Sequence, residues 1–299
     1  MATERELKKR IRTVKNTSQI TSALAAISAS KANRAMAQVE ATRVYAEKAF
    51  EILNNLASSS AATQHPMLTT REKIENSVII LITGDRGLAG SYNSDMVRLV
   101  ERFGKALPHK PQIVAVGRKG RELVIRRGMN VIASFENISD KPSILDATPI
   151  AQVVVDDYLA GKVDQVFVAY SDFINMVTRK AVVKQLLPLK PLDFEGMAVA
   201  EYVQNVDVSE SSKRDYAYEP AAEVLLDTIV PRFVDLQLYQ SILEAKASEH
   251  SARYVAMNNA TDNASVLIED LTIERNKARQ ATITAEILDI VGGAEALAG

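Results

Sequence analysis

The residues best suited to chemistry form a glycine-rich loop, Gly84-Asp85-Arg86-Gly87-Leu88-Ala89-Gly90, which follows a short apolar run. In an α/β domain, the loop after the first strand is the usual position for holding a phosphate group. The spacing matches neither G-x-G-x-x-G nor G-x-x-x-x-G-K-[ST], and the carboxylate of Asp85 would repel an anion. We therefore favour a structural turn made by Gly84, Asp85, Arg86 and Gly87, whose glycines take positive φ, over a nucleotide site.

Other reactive side chains are scattered. His65, His109 and His250 are far apart in sequence, and no HExxH or GxSxG arrangement exists, so each histidine is interpreted as a surface or packing residue. Asp156 and Asp157 are adjacent on a predicted helix and diverge by about 100°. The absence of cysteine excludes thiol catalysis, disulfides and Cys-ligated zinc. We expect no catalytic residue, no bound metal and no cofactor.

Charge gives a weaker indication of partners. The net charge of -1 argues against a general nucleic-acid binder, although residues 1–39 carry eight Lys or Arg against two Glu. That excess indicates either a solvated helix face or contact with an acidic partner, and the polar cluster Arg275, Lys277, Arg279 and Gln280 leaves the same two interpretations open. Apolar runs such as Val78 to Ile82 are too short to cross a bilayer, and the charged start is not a signal peptide, so we expect a soluble chain.

The distribution of glycine and proline predicts the elements that position these residues. All nine prolines and nine of the twelve glycines fall between Pro66 and Pro231. Because both residues break regular structure, the ends are expected to form two long helices of about 75 and 90 Å. Proline at 231 predicts a kink or break near Val230. The predicted domains are therefore a helix over residues 1–60, a central domain over 61–220 and a second helix over 221–299.

Apolar periodicity predicts that the two helices pair. In the first, Leu7, Ile11 and Val14 share one face, and the set Ile20, Leu24 and Ile27 lies roughly 220° around the helix, which predicts contact from different sides at different heights. The second helix has a heptad-like stripe: Phe233, Leu236, Leu243, Ala247, Tyr254, Met257, Ala264, Ile268, Leu271, Ala278 and Ala285. Its small residues favour close packing, so we expect a long antiparallel coiled coil of the N- and C-terminal helices.

The middle of the chain alternates between the strand and helix periods, which indicates an α/β domain with a mostly parallel sheet. Strands are predicted at Ser77–Thr83, Gln112–Val116, Asn130–Ser134, Val166–Tyr170 and Ala181–Leu187. The last of these is expected to be antiparallel or at an edge. Helices are predicted at about Asn93–Ala106, Lys119–Arg127 and Ile150–Ala160.

Several long motifs, in order along the chain, resemble the γ subunit family of F-type rotary ATP synthases. They are Asn16 to Thr21, the GDRGL turn, Phe173-Ile174-Asn175, Gln185 to Leu189, Ala247 to Met257, Ala260 to Ala264 and Asn276 to Ile287. One departure is Ser22-Ala23-Leu24-Ala25-Ala26, where many relatives have Lys-Ala-Met-Glu-Met. The cysteine-bearing regulatory insert of chloroplast relatives is also missing.

The resemblance implies a central rotor shaft and not an enzyme. It would transmit torque between ion flow through the membrane c ring and ATP synthesis or hydrolysis on the β subunits. The implied partners are α and β, the ε subunit and the c ring. The chain would lie peripherally at the cytoplasmic face of the cell inner membrane, associated only through the complex.

The motif matches also imply site residues. Those near the shaft tip, facing β, are Arg279, Gln280, Thr284 and Glu286. Those linked to coupling along the shaft are Leu24, Glu249 and Arg253. Those at the base, near the c ring or ε, are Tyr216, Tyr218 and Glu219. Two other functions stay open on residues alone: a nucleotide-binding enzyme with dimerisation helices, and a passive coiled-coil adaptor.

Overall fold

A computed structural model describes residues 3–57, 65–189 and 222–298. Helix α1 spans Glu4–Ala57 and helix α5 spans Ala222–Ala298, with 54 and 77 residues. The two pack as a long antiparallel coiled coil, and an α/β domain lies between them in sequence, which confirms the predicted fold class. The chain divides into two compact units, one of residues 28–253 and the other of residues 1–27 with 254–299.

The larger unit contains a five-stranded sheet of order β3-β2-β1-β4-β5. Its strands are β1 (Ser77–Ile82), β2 (Gln112–Val116), β3 (Val131–Phe135), β4 (Gln165–Phe173) and β5 (Arg179–Leu187). The first four are parallel, and β5 pairs antiparallel with β4 at one edge. Strand β5 was predicted to be antiparallel or at an edge, and it is both. Strands β2 and β3 lie on one side of β1, and β4 and β5 lie on the other. Strand β1 is buried along its whole length.

Helices cover both faces of this sheet. Helices α2 (Tyr92–Ala106) and α3 (Arg118–Arg126) pack on one face through residues that include Met96, Val97 and Val124. Helix α4 (Ile144–Leu159) and the first half of α5 pack on the other through residues such as Ile150 and Leu238. A parallel sheet with two apolar faces requires this double cover, which explains why β1 reads as one continuous apolar run.

The start of α4 differs from the prediction. The helix begins at Ile144, six residues before the predicted Ile150, and it contains Pro149. Its N-terminus is fixed by the carboxylate of Asp146, which accepts a hydrogen bond of 2.7 Å from the backbone N–H of Ser143. The predicted start was wrong, because one proline in the second turn removes only one intrahelical hydrogen bond and does not prevent the helix from beginning before it.

Pro231 also lies inside a helix. Helix α5 continues through it from Ala222 to Ala298, so the chain is not broken near Val230. The neighbouring side chains Val230, Phe233 and Val234 are all buried in the core. Burial of apolar surface on both sides of the proline offsets the lost hydrogen bond, and a bend at this position stays a prediction.

The smaller unit is a two-helix coiled coil with one continuous seam. In α1 the seam passes through Leu7, Thr21 and Ala25, all buried, and Thr21 Oγ1 lies 2.7 Å from Thr261 Oγ1 of α5. Ile20 and Ile27 are 61% and 52% exposed. The predicted change of contact face is therefore wrong for packing within the chain. The seam continues on small and polar side chains that hydrophobicity alone does not reveal.

The predicted stripe on α5 is confirmed as far as Ala278. Met257, Ala264 and Leu271 are buried, whereas Ala285 is exposed. From the Thr21–Thr261 pair, seventeen residues back along α1 reach Glu4, its first helical residue, and seventeen forward along α5 reach Ala278. The inclusion of Ala285 in the seam was wrong, because helix α1 begins at Glu4, which lies at the level of Ala278. Residues 279–294 of α5 extend past that level and are all exposed.

Candidate functional site

The turn from Gly84 to Gly90 lies at the carboxyl edge of the sheet and is held from several directions. Both carboxylate oxygens of Asp85 accept backbone hydrogen bonds, from Arg118 at 3.0 Å and from Asn137 at 3.1 Å. The side chain of Asn93 accepts from the N–H of Gly84 at 2.9 Å. Asp85 therefore ties β1 to the segments after β2 and β3, and its charge is directed at backbone donors that an anion would need.

The tip of this turn is exposed and conformationally strained. Leu88 has φ of 62° and is 65% exposed, and Arg86 and Gly87 beside it are also exposed. A positive φ in a leucine is uncommon and persists only where the surroundings impose it. The role of Leu88 could not be predicted from the sequence, because a positive φ at a leucine has no signature in residue type.

Glu249 and Arg253, two of the expected coupling residues, lie against this turn. Arg253 Nη2 donates to Glu249 Oε1 at 2.5 Å, and the two side chains are only 11% and 7% exposed. Arg253 Nε also donates to the carbonyl of Gly87 at 3.4 Å. A Cβ at Gly84 would lie 2.7 Å from the Glu249 carboxyl group, so a larger residue there would force that carboxyl group to move. The structure thus brings together two groups that the sequence separates by more than 150 residues.

His250 lies beside this pair, next to an ion pair between Asp140 and Lys31. Its Nε2 lies 3.2 Å from Asp140 Oδ1, and Asp140 Oδ2 accepts from Lys31 Nζ of α1 at 2.6 Å. Burial lowers the pKa of His250, although Glu249 and Asp140 oppose that effect. Burial alone would raise the pKa of Asp140, but the hydrogen bond from Lys31 and the nearby His250 and Lys246 lower it. His250 is a buried packing residue, and its link through Asp140 to α1 was missed because the partners are distant in sequence.

Helix α5 fills the crevice at the carboxyl edge where an open α/β sheet would bind a ligand. Ser248 Oγ donates to the carbonyl of Ser171 at 2.9 Å, and Ser251 Oγ donates to that of Met176 at 2.7 Å. The hydroxyl of Tyr92, whose pKa burial raises strongly, donates to the carbonyl of Ala245 at 3.0 Å. The cavity left beside β1 and α5 is about 10 Å³, room for about one water. A cavity of that volume is too small for a nucleotide.

The expected tip residues lie on the single-helix end of α5. Arg279, Gln280, Thr284 and Glu286 are all exposed. They alternate with exposed apolar side chains: Ile283, Ile287, Leu288, Ile290 and Val291, which are 47% to 71% exposed. An apolar surface of this kind on a charged helix indicates contact with another protein.

The remaining expected residues are placed as follows. Leu24 is half-buried on α1 in the smaller unit. Tyr216, Tyr218 and Glu219 lie outside the described residues. Within residues 3–57, 65–189 and 222–298, His, Asp and Glu side chains form no group of three that could hold a metal ion. In the same ranges, every helix is too short or too polar to span a bilayer.

Comparison with known proteins agrees with this geometry. The family model described as ATP synthase matches residues 3–297. The ATP synthase gamma chain of Roseiflexus castenholzii is 40% identical over 304 residues, covering 100% of this chain and 99% of that protein. The ATP synthase gamma chain of Dehalococcoides mccartyi is 42% identical over 300 residues, covering 100% of both chains.

Solved structures share the fold. A chain of the Euglena gracilis mitochondrial ATP synthase aligns with a TM-score of 0.66 at 20% identity, covering 98% of this chain and 94% of that one. A chain of the Tetrahymena thermophila mitochondrial ATP synthase, from its central stalk and c ring, aligns with a TM-score of 0.62 at 24% identity, covering 81% and 99%.

The chain combines a coiled coil of its two ends with an α/β domain, and the family match over residues 3–297 places it in the ATP synthase class. Within that class the relatives that match from end to end are gamma chains. The protein belongs to the ATP synthase γ chain family.

Proposed function

We propose that this chain is the central rotor shaft of an F-type ATP synthase. It transmits torque between ion flow through the membrane c ring and the catalytic β subunits, and catalyses no reaction itself. The observation that carries this proposal is the match to γ chains over residues 3–297, made by a chain whose two ends form one coiled coil.

The helices suit such a shaft. Residues 1–65 and 232–291 contain neither glycine nor proline, so the coiled coil has no residue at which a helix bends easily. We assign residues 1–60 and 221–299 to the shaft and 61–220 to the domain at its base. Rotation of a stiff, asymmetric rod within a ring of α and β subunits would couple distant sites mechanically.

The tip of α5 is proposed to contact β. The exposed side chains of Arg279, Gln280, Thr284 and Glu286 support this role, because residues 279–294 have no covering partner within the described part of the chain. A charged contact surrounded by apolar side chains provides both orientation and buried area at an interface.

Lower on the shaft, Leu24, Glu249 and Arg253 are proposed to serve coupling. Leu24 contributes packing, in place of the methionine of many relatives. The buried Glu249–Arg253 pair, together with Ser248 and Ser251, fixes α5 to the edge of the sheet, so force on the domain passes to the helix without slippage.

Tyr216, Tyr218 and Glu219 are proposed to contact the c ring or ε at the base. The complex would lie at the cytoplasmic face of the cell membrane, with this chain attached through its partners. The segment containing these three residues is outside the described ranges, so the proposal rests on their motif match.

Reconstitution with α, β and ε subunits tests the function. We expect the full chain to assemble with them and to support ATP-driven rotation of a bead attached to the domain, and the isolated chain to hydrolyse no ATP. Deletion of residues 279–299 should weaken torque, whereas deletion of only residues 292–299 should have a smaller effect. Hydrolysis by the pure chain, or undiminished torque after the longer deletion, would contradict the proposal.

A further inference from the structure

A group of ionisable side chains is buried where α5 crosses the β4–β5 hairpin. Glu244 of α5 is 3% exposed, and Asp172 of β4 and Lys184 of β5 are each 9% exposed. The side chain of Glu244 is next to those of Asp172, Lys184 and Tyr170. This cluster therefore buries two carboxyl groups with a single lysine.

Counting donors shows that an ionised Glu244 would lack a hydrogen bond on one of its two oxygens. Two carboxylates only accept hydrogen bonds, so a hydrogen bond between them requires a proton on one. Glu244 Oε2 is buried and meets no donor among the described residues. An ionised carboxylate in that position would lose its hydration without compensation, next to another negative charge.

Among the described residues, the groups that act on Glu244 include one cation, Lys184. The buried side chains of α1 among those described are Leu7, Thr21, Ala25, Ser28, Ala32, Ala35, Ala46 and Leu53, and none of these titrates. Along α5, the neighbours of Glu244 on the same face are Gln240, Ser241 and Ser248, which are neutral. Lys246, the nearest cation on α5, donates instead to the carbonyl of Ile138 at 2.9 Å.

We propose that Glu244 keeps its proton in the folded protein, and that this proton, placed against Asp172, joins α5 to the β4–β5 hairpin as a pH-sensitive clamp. With the proton, the pair is a charge-assisted hydrogen bond neutralised by Lys184. Without it, two adjacent carboxylates repel each other between the helix and the hairpin. The clamp goes beyond torque transmission, because it makes the attachment of the shaft helix depend on pH.

The sign of the pH effect follows from proton linkage. Burial, followed by the neighbouring Asp172, raises the pKa of Glu244 well above its usual range. Between the unfolded and folded pKa values, the folded protein holds a proton that the unfolded chain has lost. This group therefore makes the protein less stable as pH rises from about 4.5, by about tenfold in the folding equilibrium per pH unit, until the folded pair ionises.

Glu244→Gln tests the clamp, because the amide keeps the shape and can still donate to Asp172. The stability of this variant relative to the natural chain should rise by about tenfold per pH unit above about pH 5, measured by urea unfolding of the full chain. Infrared difference spectra at neutral pH should show a protonated carboxyl band in the natural chain that the variant lacks. Glu269→Gln, on an exposed position of the same helix, should show neither effect.

Two further variants decide the outcome if Glu244→Gln does not fold. Asp172→Asn removes the repelling charge, so Glu244 should ionise beside Lys184 and the band should disappear. Lys184→Gln removes the cation, so the band should persist to higher pH. A difference in stability that is flat with pH, together with no band assigned to Glu244, would overturn the proposal.

Discussion

Removal of Arg253 is expected to be one of the most destabilising single changes at the carboxyl edge of the sheet. The guanidinium is 11% exposed, bonds Glu249 at 2.5 Å and reaches the carbonyl of Gly87. Arg253→Met retains most of the packing of the stem but leaves the Glu249 carboxylate buried beside Gly84. Leaving a buried charge unpaired costs about 3 kcal/mol or more, so Arg253→Met should lose about that amount.

A double-mutant cycle separates the pair from the packing. Glu249→Gln alone should also destabilise, but the double variant Glu249→Gln/Arg253→Met no longer buries an unpaired charge. We expect a coupling energy of about 2 kcal/mol from urea unfolding of the purified chain, roughly a 30-fold change in the folding equilibrium.

The matched control is Glu101–Lys105 on α2, which has the same four-residue spacing and the same order of charges. Lys105 is 74% exposed there and Glu101 is 35% exposed, so solvent screens the pair and its coupling should be several-fold smaller. Equal coupling in the two cycles would refute the argument that burial makes the Glu249–Arg253 pair a strong link between α5 and the turn.

Three other changes test the geometry. Gly84→Ala should cost about 1–2 kcal/mol because its Cβ would meet the Glu249 carboxyl group at 2.7 Å, whereas Gly87→Ala meets nothing within 4 Å and should be nearly neutral; urea unfolding distinguishes them. Burial lowers the pKa of His250, so the unfolded chain binds a proton more readily, and stability should fall as pH drops below about 6.5; thermal melts of His250→Gln should show a smaller fall. Ala264→Leu should overpack the coiled-coil seam and cost about 1–3 kcal/mol, whereas Ala285→Leu should leave the melting temperature unchanged.

Much of the fold was predictable because the elements are long or strongly patterned. The apolar β-branched run from Ser77 gave β1 to within one residue, and β2 has its predicted bounds. The ends of the chain lack helix breakers, and both are helical over the described ranges. These features depend on local propensity and on burial of apolar faces, which short stretches of sequence record.

The errors occur where packing overrides local preference. Pro149 and Pro231 are both inside helices, because the surrounding side chains bury enough apolar surface to offset one missing hydrogen bond. The α1 seam uses Thr21 and Ala25 while Ile20 is exposed, a choice set by the register with α5. Register between distant helices is a property of the pair, so neither helix shows it alone.

The site was partly predictable for a related reason. The glycine-rich turn was recognised as a turn, but the expected positive φ at Gly84 and Gly87 was wrong, because Leu88 and Gly90 adopt it instead. Glu249 and Arg253 were recognised through family motifs, but no local pattern places them beside the turn. Their meeting depends on α5 entering the crevice at the end of β1, which Gly84 permits and the hydrogen bonds of Ser248 and Ser251 hold. The edge of the sheet that other α/β proteins use for ligands thus anchors the shaft helix. A nucleotide bound there would have to displace α5, so mechanical attachment and ligand binding exclude each other at this position.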